Sequence, residues 1–330
     1  MNQFEHIAKN KNNFILRAKI IEIIRRFFKE EGFLELDPPT LIKYPDSEPH
    51  LSPVPVQIQN EKKEKFQGYL HTSPEYTMKK ALASGMDKIF AITHCFRDCE
   101  FFGDNHNPEF TMLEWYRTEE DFYKIMEDCE NIFKLIAKKV GTSKIGEIEI
   151  EKNWEKISMK ELWQKYVSVN LDDYCETKKM YELCKNLGFK PEKNEPFEDL
   201  FYRIFLNKIE NNLVKNVPTI IYNYPVQMAS LAKISNKNPK YAERFELYIN
   251  GIELANAFSE LTDENEQRNR SKKDNPSFGI DEELINAVEK MPKSAGIALG
   301  IDRLVMLFTD CKNIENVLLI PASGLFDLKN

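Results

Sequence analysis

Leu16, Ile20, Ile24, Phe27 and Phe28 recur at helical spacing, with Arg17, Arg25, Arg26 and Lys29 among them. That pattern predicts an amphipathic helix, closed by Gly32 just beyond it. Phe33 to Asp37 then reads as a short strand stopped by Pro38 and Pro39. Lys88 to Arg97 and Glu109 to Arg117 are strand-like runs separated by a polar loop, which suggests an antiparallel pair. Glu119 to Lys139 returns to a helical pattern. From about Gly141 to Val217 charged and apolar helical stretches alternate, with Phe197 to Leu213 the clearest helix, and the region reads as a mainly helical insert. Thr219 to Tyr224 is strand again. In Arg244 to Phe258, Asn250-Gly251 sits between two runs of strand formers, the strongest short hairpin signal. Arg268 to Ile280 is polar and reads as a mobile loop. Asp281 is placed to cap a helix through Met291. Gly296 to Leu307 is a glycine-bearing strand running into an apolar helix. Strands with helices segregated around them, and no steady βαβ rhythm, predict an α+β fold on an antiparallel sheet.

Composition changes this picture little. The 330 residues are 42% hydrophobic and 30% charged, with a net charge of −7, as in ordinary globular chains. No apolar run approaches the ~18 residues of a membrane span, and the polar stretch Met1 to Asn13 is not a signal peptide. The six scattered cysteines read as reduced and cytoplasmic; Cys95 and Cys99 lack the second pair or histidine cluster of a metal site. The acidic balance, without a basic arm, weighs against a nucleic-acid partner.

Three places carry candidate chemistry. A two-residue turn at Asn250-Gly251 pairs Ile249 with Ile252 and Tyr248 with Glu253, so Glu246 lies diagonal to Glu253 on one face, Cβ atoms ~7 Å apart. Two carboxylates so placed can share a divalent cation, and Mg²⁺ characteristically takes one or two carboxylates plus phosphates; the spacing equally suits two solvated surface glutamates. On Glu109 to Arg117, alternation puts Met112, Glu114 and Tyr116 on one face and Glu109, Thr111, Leu113 and Trp115 on the other. A glutamate beside a tyrosine can grip an ammonium group, or sit idle at a sheet edge. Arg97 can bind a carboxylate or phosphate in bidentate fashion, or pair with Asp98 or Glu100.

The run His106-Asn107-Pro108-Glu109-Phe110-Thr111-Met112-Leu113-Glu114-Trp115-Tyr116, after Phe96-Arg97, resembles the second signature of class II lysyl-tRNA synthetases. Gly300-Ile301-Asp302-Arg303-Leu304 resembles the third, Glu35 to Pro39 the first, and Gly251 to Glu260 and Thr72 to Glu75 two substrate segments. The likeness runs from about Phe14 to the end. Only Met1 to Asn13 precede the expected first helix, where those synthetases carry an anticodon-binding barrel. The sequence is most similar to the elongation factor P–(R)-β-lysine ligase family, on the Glu114-Trp115-Tyr116 ending, the His50 to Pro53 segment and Ala298, where the synthetases have glycine.

The resemblance implies a single class II catalytic domain over residues 1–330, with the insert at about 141–217 and no anticodon-binding domain. It implies ATP-dependent activation of (R)-β-lysine or lysine as an adenylate, with Mg²⁺, and transfer to a lysine side chain of elongation factor P by a cytoplasmic homodimer, tRNA being a disfavoured acceptor. By resemblance Arg97 and Arg303 are catalytic. The amino-acid pocket takes Ser73, Pro74, Glu75, Arg97, Glu114, Tyr116, Asn256, Glu260 and Ala298. The ATP site takes Arg97, Glu100, His106, Asn107, Phe110, Glu246, Glu253, Leu254, Gly300 and Arg303, with Glu246 and Glu253 as metal ligands. Three pocket carboxylates suit a substrate with two ammonium groups. A methyl at Ala298 would reshape the pocket toward a β-amino acid. Strict alternation puts Asn256 and Glu260 opposite Glu253, so the strand must bulge or end near Ala257. The Phe96 to His106 loop departs from the pattern: it is one residue longer, Cys99 interrupts an Arg-Asn-Glu run, and Asp104-Asn105 stand where arginine is common. Two other readings remain open: a minimal lysine-type ligase charging tRNA or a small molecule, and a non-catalytic paralogue acting as a regulator.

Overall fold

The computed structural model describes residues 2–46, 48, 51–100, 102–142, 144–213, 217–274 and 277–326. The chain begins on α1 (Gln3–Glu30), then forms β1 (Leu34–Glu35), β2 (Leu41–Ile42) and the hairpin β3 (Val54–Gln59) and β4 (Lys65–Leu70). α2 (Glu75–Ala83) leads to β5 (Lys88–Phe96), β6 (Glu109–Thr118) and α3 (Phe122–Val140). The middle holds β7 (Lys144–Ile145), β8 (Ile148–Glu149), β9 (Glu155–Ser158), α4 (Met159–Tyr166), α5 (Thr177–Asn186) and α6 (Phe197–Ile204). β10 (Thr219–Pro225), β11 (Tyr241–Ile249), β12 (Ile252–Ser259), α7 (Glu264–Asp274), α8 (Glu282–Lys290), β13 (Ser294–Gly300), α9 (Ile301–Thr309) and α10 (Ala322–Leu325) follow.

Eight strands make the main sheet, in the order β1-β5-β6-β13-β12-β11-β10-β9. Its interior pairs are antiparallel, as the sequence predicts, while both edges, β1 on β5 and β9 on β10, are parallel. Alternation divides the strands into two chemistries. Leu113, Trp115, Ala295, Ile297, Leu299, Ala255, Ala257, Phe245 and Leu247 join α1, α3 and α9 in one apolar cluster. On α1, Ile20, Ile24 and Phe28 are fully buried at i, i+4, i+8, one stripe of the helix. Phe28 lies 4.9 Å from Phe90 and 5.2 Å from Trp115, centroid to centroid. Burying each such side chain contributes about 1.5–3 kcal/mol. On the opposite face, apolar side chains at the flanks pack on α2 and on the middle region. Between them β6, β11 and β12 carry the polar groups Glu114, Glu246, Glu253 and Asn256, and the site lies there.

The expected insert contains α4, α5 and α6 but also β7, β8 and β9, and β9 extends the main sheet. Its apolar side chains, Trp163, Phe201 and Phe205 among them, pack with Ile221, Tyr224 and Tyr248 of β10 and β11. α6 continues from Phe205 as a wider π-helical turn and then a tight turn over Glu210–Asn212, so the predicted helix is helical to Asn212 but unevenly wound.

Two expectations fail on capping. The first helix starts at Gln3, so no polar leader of Met1 to Asn13 precedes it; Asn2 accepts from the Glu5 N–H at 2.9 Å, and Glu5 accepts from the Asn2 N–H at 3.1 Å. Arg268 to Ile280 is not simply a loop, because its first part is α7. Asp263 caps that helix by accepting from the Asn265 and Glu266 N–H groups at 2.9 Å. Arg270 pins it by donating to the Ser230 and Ala232 carbonyls at 2.7 and 2.8 Å. Among the described residues no helix is long and apolar enough to cross a membrane.

Candidate active site

Register assembles the polar face from four neighbouring strands. Ala298 of β13 pairs with Glu114 on one side and Asn256 on the other, and Gly296 pairs with Tyr116 and Phe258. Asn256 in turn faces Glu246 on β11. The bulge that the sequence demanded exists, three residues before Ala257: Tyr248 pairs with Glu253 and Leu247 with Ala255, leaving Leu254 as the extra residue. One added residue returns Asn256 to the face of Glu246 and Glu253, and alternation carries Phe258 and Glu260 along with it.

At one end lies a dense acidic pocket. Glu114 is fully buried; Ser73 donates to its Oε1 at 2.5 Å and Tyr116 to its Oε2 at 2.8 Å. Burial, then the nearby Glu75 charge, raises the Glu114 carboxyl well above its usual range. The Tyr116 ring lies against Gly296 so closely that a Cβ there would meet it at 2.2 Å. Burial also raises the carboxyls of Glu75 and Glu260, the latter to about 7. Two participants went unread in the sequence. Lys79, 1% exposed, places Nζ 2.6 Å from Glu75 Oε1 and 2.8 Å from Glu260 Oε2. The charge match from three carboxylates alone is therefore corrected, since one fixed cation already sits among them. Its signal was Glu75 and Lys79 at i, i+4 on one helix face. Asp46, 5% exposed, accepts from the Thr72 hydroxyl at 2.6 Å, and burial pushes it up to about 8.

At the other end stand arginines and a carboxylate pair. Both oxygens of Glu246 are engaged: Arg244 donates at 2.6 Å, Tyr224 at 2.6 Å and Tyr248 at 2.8 Å. Burial, then the Glu246 charge, pushes Glu253 up to about 7, against the pull of Arg303. Arg303 donates to the Glu253 carbonyl at 2.9 Å and to the Asn105 carbonyl at 3.1 Å. Arg97 stacks its guanidinium 5.0 Å from the Phe110 ring centroid, and its Nε is buried without a partner. Glu100 takes a 2.8 Å hydrogen bond from His106, which holds its carboxyl below the usual range. The Asn107 amide is committed to the main chain, donating to Glu109 and accepting from Ala322.

Both ends open into one cavity of about 660 Å³. Of the site residues expected from sequence, all line it except Pro74, which precedes α2, and Glu114, which lies beneath Ser73 and Tyr116. His50 lies outside the described residues. Glu198, Asp199, Tyr202 and Leu206 form part of the wall, so the middle region contributes to the site. Two carboxylates on adjacent strands, Glu253 raised by burial and then by the Glu246 charge, are a donor set that fits a divalent cation. No group of three or more His, Cys, Asp or Glu suited to a metal occurs among the described residues.

A family profile described as tRNA synthetases class II (D, K and N) matches residues 5–324. The chain is 36% identical over 319 residues to the elongation factor P–(R)-β-lysine ligase of Actinobacillus succinogenes, covering 94% of each chain. It is 36% identical over 328 residues to that of Haemophilus influenzae strain Rd, covering 96% of this chain and 97% of the other. The Proteus mirabilis counterpart is 35% identical over 322 residues, covering 94% and 95%.

Proposed function

Because the chain belongs to the class II tRNA synthetases, and within them to the elongation factor P–(R)-β-lysine ligase family, we propose that it activates (R)-β-lysine, or lysine, with ATP and transfers it to a lysine side chain of elongation factor P. The relatives' names carry the acceptor and the amino acid. The observation that carries the chemistry is a single sheet face ending in buried carboxylates at one end and arginines at the other, inside one cavity.

In the first step a carboxylate oxygen of the amino acid attacks the α-phosphorus of ATP and the bond to pyrophosphate breaks. In the second the acceptor amine attacks the acyl carbon, AMP leaves and the amine sheds a proton. Neither step needs a protein nucleophile; alignment and charge neutralisation lower the barrier. Arg97, with its unpartnered Nε, holds the amino acid's carboxylate and the α-phosphate together. Arg303, fixed by the Glu253 and Asn105 carbonyls, meets the phosphate tail. Phe110 stacks on the base, with Glu100, His106, Asn107, Leu254 and Gly300 around the nucleotide. Glu75, Glu114, Tyr116, Asn256 and Glu260 take the ammonium groups, Ser73 and Pro74 shape the wall, and Ala298 sits between Glu114 and Asn256. Glu246 and Glu253 would hold Mg²⁺, which when bound neutralises phosphate charge. A single catalytic domain that pairs into a homodimer completes the reading.

The test offers labelled (R)-β-lysine or lysine and ATP to the enzyme with elongation factor P and tRNA together. Label on elongation factor P is the expected result; label on tRNA alone overturns the choice of acceptor.

A further inference from the structure

Lys79 stands one helical turn after Glu75 on α2, its side chain 1% exposed and its Nζ within 2.8 Å of carboxylate oxygens from two elements. α2 is held in place by Lys80, which donates to Asp281 at the start of α8 at 2.6 Å. Lys79 therefore cannot swing aside as a surface lysine would. Burial alone would lower its pKa, but Glu260 and Glu75 outweigh burial and raise it, so it stays charged. Glu260, 2% exposed and lining the cavity, keeps its Oε1 without a hydrogen-bond partner. Lys79 meets Glu75 on its own helix and Glu260 beyond β12, and the Glu75 charge in turn acts on Glu114 and Tyr116 of β6. Asp46 is close to Glu75, and being pushed up to about 8 it is largely protonated at neutral pH.

Resting on the diamino-acid reading above, we infer that Lys79 is the specificity-setting residue of the pocket: a fixed cation that leaves Glu75, Glu114 and Glu260 balanced by a substrate bearing two ammonium groups and no other number. Burial raises these carboxyls, but an ammonium group bound against them favours their charged forms. Counted so, three carboxylates and one lysine carry two net negative charges. A substrate with one ammonium group leaves a buried carboxylate uncompensated, which is strongly unfavourable in a site this enclosed. Without Lys79 the same three carboxylates would call for a third cation that no diamino acid supplies. Arg97 stays outside this balance, reserved for the substrate's carboxylate.

The experiment measures KM and kcat of amino-acid-dependent pyrophosphate exchange with (R)-β-lysine, lysine and norleucine, which has a single ammonium group. Lys79→Met is expected to raise KM for the diamino acids on the order of tenfold, with kcat changed far less. Loss of Lys79 removes the cation that holds the Glu260 carboxyl down, so the defect should be largest at alkaline pH and shrink as pH falls and Glu260 takes a proton, whereas the wild-type KM does not improve. Lys79→Met combined with Glu260→Gln removes one charge of each sign and should lower KM below that of Lys79→Met alone. Glu260→Gln by itself leaves one net negative charge and should increase norleucine-driven exchange in absolute terms; that variant carries the test if Lys79→Met fails to fold. An unchanged KM in folded Lys79→Met, a defect independent of pH and unrelieved by the double variant, or no gain for norleucine in Glu260→Gln overturns the assignment. Wild-type exchange that ignores both diamino acids overturns the parent reading instead.

Discussion

Glu246 and Glu253 occupy adjacent strands on one face, but their surroundings differ. Glu246 is clasped by Arg244, Tyr224 and Tyr248, while the Glu253 carboxyl is raised to about 7 by burial and then by the Glu246 charge. Glu253→Gln should abolish adenylate formation while the fold persists; exchange at the wild-type rate would refute the metal assignment. The same carboxyl makes a separate prediction about stability. Its folded pKa lies above its unfolded one, so the folded state binds the proton more tightly. The resulting stabilisation is present below about 4.5 and lost as pH rises through about 7. With chelator present, Glu253→Gln should therefore be more stable than wild type at pH 8, by roughly 3 kcal/mol, with the difference vanishing as pH falls below about 4.5. Thermal melts across that range check the sign.

At the scale of elements, the Ile20-Ile24-Phe28 stripe holds α1 in the apolar cluster with α3 and α9, and Phe28 reaches Phe90 of β5 and Trp115 of β6. Phe28→Ala opens a cavity between Phe90 and Trp115 and should cost about 3–5 kcal/mol, read as a lower denaturation midpoint without a change in substrate KM. Elements with a strong period were legible: β6, whose alternation separates Glu114 and Tyr116 from Leu113 and Trp115, and the β11–β12 hairpin with its Asn-Gly turn. α7 was not, because its run from Glu264 to Asp274 has no apolar stripe; it is held by Asp263, Arg270 and Arg268 through charged and backbone contacts. The bulge at Leu254 was legible only as a necessity. A ladder irregularity leaves no compositional trace, and its position came from the register itself. Lys79 was missed for a related reason: in Tyr76-Thr77-Met78-Lys79-Lys80 it reads as one of two solvated lysines, and only the approach of Glu260 from another element buries it. The strand hairpin β3–β4 and helix α2 were likewise not singled out in advance.

Over the whole molecule, a net charge of −7 coexists with a cavity whose two ends have opposite character. Acidic groups gather where ammonium groups are to bind, and arginines where phosphates are. The middle region closes this cavity from the β9–β10 side, bringing Glu198, Asp199 and Tyr202 to its wall. An aspartate-type substrate would place a second carboxylate among Glu75, Glu114 and Glu260, with Lys79 already engaged by two of them; norleucine would leave one of them unbalanced. The most direct test is therefore radiolabelled pyrophosphate exchange into ATP, measured with one amino acid at a time. Exchange driven by (R)-β-lysine or lysine, with little from norleucine and none from aspartate, is what this site predicts. Exchange with aspartate at a comparable rate, or none with either diamino acid, would contradict it.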